Sequence, residues 1–161
     1  MIRRASIAVF LMLAIVAGCT EKGTQAGAIA PEFSMQDMQG KTVRLADYKG
    51  KVIMLEFWAT WCPPCREAIP GIEKLHKAYK DKGLVVLAIS MDSGGWDGVK
   101  SFITDYRMTY PVLKGTEDVA TTYQVRSIPM TLIINKDGRI VKRYIGIGSD
   151  GDIEKAIIAI L

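Results

Sequence analysis

Cys62 and Cys65 stand two residues apart behind the apolar and aromatic run Val52 to Trp58, in the phrase Glu56-Phe57-Trp58-Ala59-Thr60-Trp61-Cys62-Pro63-Pro64-Cys65. After them Ala68, Ile72, Leu75 and Tyr79 recur at spacings of 4, 3 and 4, the apolar stripe of a helix. A strand that ends in paired cysteines opening a helix is a device for reactive sulfur. The strand end holds the first sulfur at the rim of a sheet. The helix N-terminus sets unpaired N–H groups and partial positive charge beside it. That environment favours thiolate, the form that attacks disulfides. The pattern predicts thiol–disulfide exchange, with Cys62 attacking from the less covered position. Cys65, a turn deeper, resolves the mixed disulfide.

The residues around the pair set its poise. A sulfur at the helix N-cap accepts N–H bonds from residues two and three further on. Pro64 has no N–H, Cys65 has one, Pro63 has none, and no cationic side chain lies between the cysteines. A thiolate stabilised only moderately makes a reductant rather than an oxidant. Glu56, six residues before Cys62, shares a strand face with Met54 and Trp58. Buried there, its carboxyl has a raised pKa and can trade protons with Cys65. The competing reading is an acid at a wet strand end or paired with a lysine, although Leu84 to Met91 contains no basic residue. His76, the only histidine, lies eleven residues beyond Cys65, and a closed zinc site needs four ligands, so no metal site and no cofactor are expected.

The elements that must position these groups follow from periodicity. Phe33-Ser34-Met35 and Thr42 to Leu45 flank a Gly-containing turn and predict a β-hairpin. Val52 to Trp58 and Leu84 to Met91 are buried strands, and Pro63 to Lys82 is a helix that Pro70 should kink. Val99, Phe102, Ile103 and Tyr106 mark a second helix starting near Trp96-Asp97. A short strand at Tyr110 to Leu113 and a short helix at Asp118 to Tyr123 come next. Met130 to Asn135 and Ile140 to Tyr144 flank a turn, and Ile153 to Ile160 closes the chain as a helix. The order predicts an α/β fold with a mixed central sheet and helices on both faces. Trp58 is assigned to the core, and Trp96 to contact or cap.

With 161 residues, 49% of them hydrophobic, the chain fits one domain with a substantial core. The net charge is +4, of which Arg3 and Arg4 supply two; without a basic run carrying aromatics, this argues against nucleic acid. Met1 to Gly18 reads as an export leader: a positive Ile2-Arg3-Arg4, then an apolar run from Ala5 to Val16 shorter than a membrane span. Val16-Ala17-Gly18-Cys19 resembles a bacterial lipobox, which implies lipidation of Cys19. Residues 1–18 are then the leader, 19–30 a lipid-anchored flexible tether and 31–161 the folded domain. Export implies an oxidising compartment on the outer side of a bacterial membrane, where a reduced CxxC pair needs an outside electron source.

The phrase Phe57 to Cys65, with Ile128-Pro129-Met130-Thr131 downstream, resembles the thioredoxin superfamily over about Pro31 to Leu161. Pro31-Glu32-Phe33 and Asp47-Tyr48-Lys49-Gly50-Lys51 resemble its membrane-tethered TlpA/ResA-type branch. The resemblance implies a thioredoxin fold with an added N-terminal β-hairpin and a central insertion around Ser93 to Lys114. It implies a cis-Pro129 facing the cysteines, and a proton-transfer acid at Glu56. It also implies a substrate surface of Trp61, Pro63, Pro64, Ile128 and Pro129, Ile128 offering its backbone to an extended peptide. Implied partners are protein disulfides, among them apocytochrome c or copper-centre assembly proteins, and a membrane thiol-electron transporter as reductant. A monomer is expected. Relatives of this branch often carry a glutamate three residues after the second cysteine; here that position is Ala68. Glu67, one residue earlier, is turned by about 100° and does not replace it. Rival readings are a peroxiredoxin, which would need threonine where Ala59 stands, a copper-binding module, and a disulfide isomerase.

Overall fold

The computed structural model describes residues 25–161. The leader and Cys19 lie outside the described residues.

Strand β3 (Val52–Trp58) is buried at every position, which is why it reads as a continuous apolar run rather than an alternation. It pairs in parallel with β4 (Leu84–Ser90), from Val52 opposite Leu84 to Trp58 opposite Ser90, and antiparallel with β6 (Met130–Ile134). β7 (Ile140–Ile145) extends the sheet beyond β6, and β5 (Val112–Lys114) lies parallel at the other edge beside β4. The order is β5-β4-β3-β6-β7, the mixed sheet expected. A separate hairpin, β1 (Ser34–Gln36) and β2 (Thr42–Arg44), stands where the sequence placed it. Together these make the thioredoxin fold with its N-terminal addition. The Ser93 to Lys114 insertion holds α2 (Asp97–Asp105) and the edge strand β5.

The two faces of β3 lead into two apolar layers. Val52, Met54 and Trp58 pack with Ile69, Ile72 and Leu75 of α1 (Pro63–Tyr79), Val99 of α2, and Ile153 and Ile157 of α4 (Asp150–Ile158). Ile53, Leu55 and Phe57 pack with Phe33, Met35 and Val43 of the hairpin and with Tyr123 at the end of α3 (Glu117–Thr122). Helices therefore cover both faces, with the hairpin sharing the second.

Helix α1 opens on Pro63 and Pro64, whose missing N–H groups fall among those a first turn leaves unpaired anyway. It runs through Pro70 to Tyr79. A single 3-10 turn (Lys80–Lys82) follows, ended by Gly83 at φ 106°. Ile69 joins the buried stripe, and Glu73, which the stripe did not include, is buried as well.

The far end of the expected tether is held rather than loose. Gly27 N–H donates to Ile140 O at 2.7 Å, Ala30 N–H donates to Gly138 O at 2.8 Å, and Ala30 is buried. The start of β7 offers unpaired carbonyls there, and residues 27–30 take them up.

At the β4–β5 edge, a Cβ on Gly115 would lie 2.6 Å from Ser90 O and 2.8 Å from Met91 Sδ. Gly115→Ala is expected to destabilise the domain by about 1–3 kcal/mol in denaturant unfolding. No change would show that this edge yields freely.

Candidate active site

β3 ends at Trp58, and α1 begins only a few residues later, so the intervening loop sits at the C-terminal end of the central strand. Cys62 is the N-cap of α1; its Sγ accepts the Cys65 N–H at 3.3 Å, and its carbonyl accepts the Arg66 N–H at 3.3 Å. The two cysteines form a disulfide with Cα atoms 5.3 Å apart. The only backbone donor within three residues that the sequence left to this sulfur is the one that reaches it.

The loop is clamped from β4. Thr60 N–H donates to the two carboxylate oxygens of Asp92 at 3.2 and 3.1 Å, and Thr60 Oγ1–H donates to Oδ1 at 2.5 Å. Ser90 Oγ–H donates to Asp92 Oδ2 at 2.8 Å. Arg66 Nε–H donates to Thr60 O at 3.0 Å, which ties the first turn of α1 back to the same loop. Lys114 Nζ–H donates to Asp92 O at 3.2 Å. Sequence reasoning missed Asp92; the available signal was an acid directly past the end of a buried strand parallel to β3.

β6 runs against β3 with Met130 opposite Phe57, which places the preceding Ile128–Pro129 peptide at the cysteine end of the sheet. That peptide is cis, as the resemblance implies. Pro129 is buried and Ile128 half-buried, while Pro129 O accepts the Gly146 N–H at 2.8 Å. Pro63 is exposed and Pro64 half-buried. Trp61 is 62% exposed. Ile145, opposite Met130, is 66% exposed, and Ile147 is 46% exposed. These apolar groups share one end of the sheet. Ile145 and Ile147 were not singled out from sequence, although Ile-Gly-Ile-Gly at a strand end carries the signal.

Cys62 is the less covered of the two cysteines, as its position predicts, but the difference is small: in the disulfide it is 3% exposed, against 0% for Cys65. An attacking sulfur at the helix start is expected to meet solvent, and here it is covered. As N-cap, Cys62 turns its sulfur inward to meet both Cys65 Sγ and the Cys65 N–H, and it joins the apolar cluster with Trp58 and Ala59.

Trp58 is buried in the core, its ring 5.1 Å from that of Phe102. Trp96 is half-buried at the start of α2, with Lys114 Nζ 5.7 Å from its ring centre. Glu67 is exposed and Ala68 half-buried. Among the described residues no three metal-ligating side chains gather, and no helix is long and apolar enough to cross a membrane.

The AhpC/TSA family model matches residues 26–143. The thiol-disulfide oxidoreductase ResA of Bacillus cereus is 40% identical over 124 residues, covering 76% of this chain and 70% of that protein. The thioredoxin-like protein YneN of Bacillus subtilis is 37% identical over 139 residues, covering 85% and 81%. Among solved structures, the thioredoxin domain of a thiol-disulfide oxidoreductase from Bacteroides vulgatus superposes with a TM-score of 0.74 at 28% identity, covering 83% of this chain and 98% of that one.

Glu56 is 1% exposed, between Ala88 of β4 and Thr131 of β6, and its Oε1 has no hydrogen-bond partner. Burial pushes its pKa from 4.5 up to about 8. A carboxyl raised on folding makes the native state bind more protons than the unfolded chain. Stability is then fully present below pH 4.5 and is lost as the pH rises to about 8. Glu56→Gln is expected to match the unmodified protein below that window. Its advantage should grow through the window and level off above it at roughly 3–5 kcal/mol. Denaturant unfolding of the oxidised protein across this range checks it; a constant difference at every pH would show that Glu56 ionises freely in the fold.

Proposed function

Because the chain belongs to the AhpC/TSA family and is a thiol-disulfide oxidoreductase of the ResA kind, we propose that it serves as a reductant of protein disulfides on the extracytoplasmic side of a bacterial membrane, held there by a lipid on Cys19. The observation that carries the direction is the sulfur's sparse solvation: Cys62 Sγ takes one N–H bond, from Cys65, and Arg66 spends its Nε–H on Thr60 O. With Pro63 and Pro64 supplying no further donors, the thiolate gains little, and a dithiol that gains little from ionising gives up electrons readily.

In the proposed cycle, the reduced Cys62 thiolate attacks one sulfur of a substrate disulfide and releases the other as thiolate. Cys65 then attacks Cys62 Sγ. Glu56 takes the Cys65 proton, two electrons pass to the substrate, and the Cys62–Cys65 disulfide remains. A membrane dithiol carrier restores the pair. Trp61, exposed beside the covered Cys62, shifts to admit the incoming sulfur. The substrate strand lies along Ile128 and Pro129, with Pro63 and Pro64 on the opposite side and Ile145 and Ile147 widening the apolar contact. Candidate substrates are the haem-attachment cysteines of apocytochrome c and copper-centre assembly proteins. The peroxidase alternative has less support, since Ala59 and Cys62 fill the positions three before Cys62 and Cys65.

The reduction potential of the pair is expected well below the ~ −120 mV of a dedicated oxidant, nearer ~ −270 mV. A value close to the former would reverse the direction. Cys65→Ser should trap a covalent adduct with its partner through Cys62, identified after non-reducing separation. Peroxide turnover by the reduced protein, with no trapped partner, would transfer the assignment to a peroxidase.

A further inference from the structure

Four buried side-chain atoms among the described residues lack a hydrogen-bond partner: Glu56 Oε1, Trp58 Nε1, His76 Nδ1 and Tyr110 Oη. They are not scattered. Trp58 and Tyr110 belong to the apolar layer on the α1 side of the sheet, and Glu56 shares the strand face of Trp58. The ring of His76, on α1, meets that of Tyr110 edge-on at 5.9 Å. The register explains the grouping. Glu56 lies opposite Ala88, and Ala88 lies opposite Val112, two residues after Tyr110. Val86 and Ala88 of β4 belong to the same layer between β3 and the segment before β5. Burial raises the phenol's pKa, and the charges of Glu56 and Glu73 raise it further, so both carboxyls act on it through space.

An unpaired buried polar group costs about 1–3 kcal/mol, and native interiors keep few. Several of them converging from different elements form a site for a buried water, which takes two to four polar partners. We propose that Tyr110 is a positioning residue for the Glu56 proton: a water held between its hydroxyl and the Glu56 carboxyl connects that acid to His76 and thence to solvent. The inference rests on the reductase reading for what the proton is used for. As Cys65 attacks Cys62 Sγ, its S–H proton passes to the Glu56 carboxylate. The Cys65 electron pair forms the Cys62–Cys65 bond, the Cys62–substrate bond breaks, and the substrate leaves as thiolate. Glu56 then returns to carboxylate by passing its proton to the water at Tyr110. On the Glu56 face, the same layer holds Cys62 and Cys65 at the head of α1 and Tyr110 before β5; Tyr110 in turn meets the His76 ring and feels the charge of Glu73, which is paired to Lys77. β4 and β6 contribute only Ala88 and Thr131 beside it.

Tyr110→Phe in the full chain removes the hydroxyl and keeps the ring. The Glu56 midpoint, read from its carboxyl carbon-13 shift in the oxidised protein, is expected to rise about one pH unit. Resolution of a mixed disulfide at pH 7 should slow about tenfold, with rates converging above the new midpoint. An unmoved midpoint with an unmoved pH profile overturns the proposal. Should the variant fail to fold, magnetisation transfer from water to the Tyr110 hydroxyl proton in the unmodified protein decides: transfer supports the bridge, and none overturns it. The midpoint needs no substrate, so a protein that reduces no disulfide would lose the reductase reading and leave the Tyr110 comparison intact.

Discussion

The burial of β3 on both faces is the constraint on which the rest of the structure depends, and the bond from the Cys65 N–H to Cys62 Sγ is its outcome at the site. That bond exists only if a strand delivers Cys62 to the spot where a helix begins, and if the helix leaves that N–H free. Both conditions come from the core. β3 is buried on both faces and cannot slide without exposing six apolar or aromatic side chains. A one-residue slip would also exchange its two faces. Asp92 then fixes the loop between strand and helix by bonding Thr60 through backbone and side chain at once. The sulfur is placed by packing far more than by any interaction of its own.

The same strand carries the main conflict in the fold. An ionisable side chain stands in the middle of an otherwise apolar strand, with a pKa near 8 and an unpaired oxygen. Replacing it by an apolar residue would remove that desolvation penalty. Local consistency is broken at one point of a chain that elsewhere obeys the rules of patterning, and such points are where function is found. A carboxyl that stays protonated near neutrality accepts or gives a proton at little cost, which is what the proposed exchange between Cys65 and solvent requires.

Much of this was legible in the sequence because it is written in periodicity. The unbroken run Val52 to Trp58, the 4-3-4 stripe from Ala68 to Tyr79 and the Asn135-Lys136-Asp137-Gly138-Arg139 turn each announce an element without knowledge of its neighbours. Glu56 was conspicuous as the single acid in an apolar strand. What escaped depends on contacts between elements far apart in the chain. Asp92 looks like any loop acid until β4 sets it against Thr60, 32 residues earlier. Tyr110 looks like a strand residue until the fold buries it in the layer of Trp58, where the Glu56 charge reaches it. The covering of Cys62 follows from a side-chain orientation, which spacing does not encode. Residues 27–30 read as linker by composition, and only the free edge at Gly138 to Ile140 gives them structure.

Helix α1 bears on the site from its first turn and from its middle. Its first turn holds the disulfide, and Glu73, more than two turns later, accepts from Thr109 N–H at 3.0 Å and Thr109 Oγ1–H at 2.5 Å while Lys77 Nζ lies 3.0 Å away. Burial alone would raise the Glu73 carboxyl, but the Thr109 hydrogen bonds and Lys77 outweigh it and hold the pKa below the ordinary value. The residue after Thr109 is Tyr110, so the ionised Glu73 pins to α1 the segment that carries the phenol toward Glu56. One helix thereby fixes the sulfurs and the polar residues behind them in a single frame. A movement of α1 would therefore carry the Thr109–Tyr110 segment with it through Glu73.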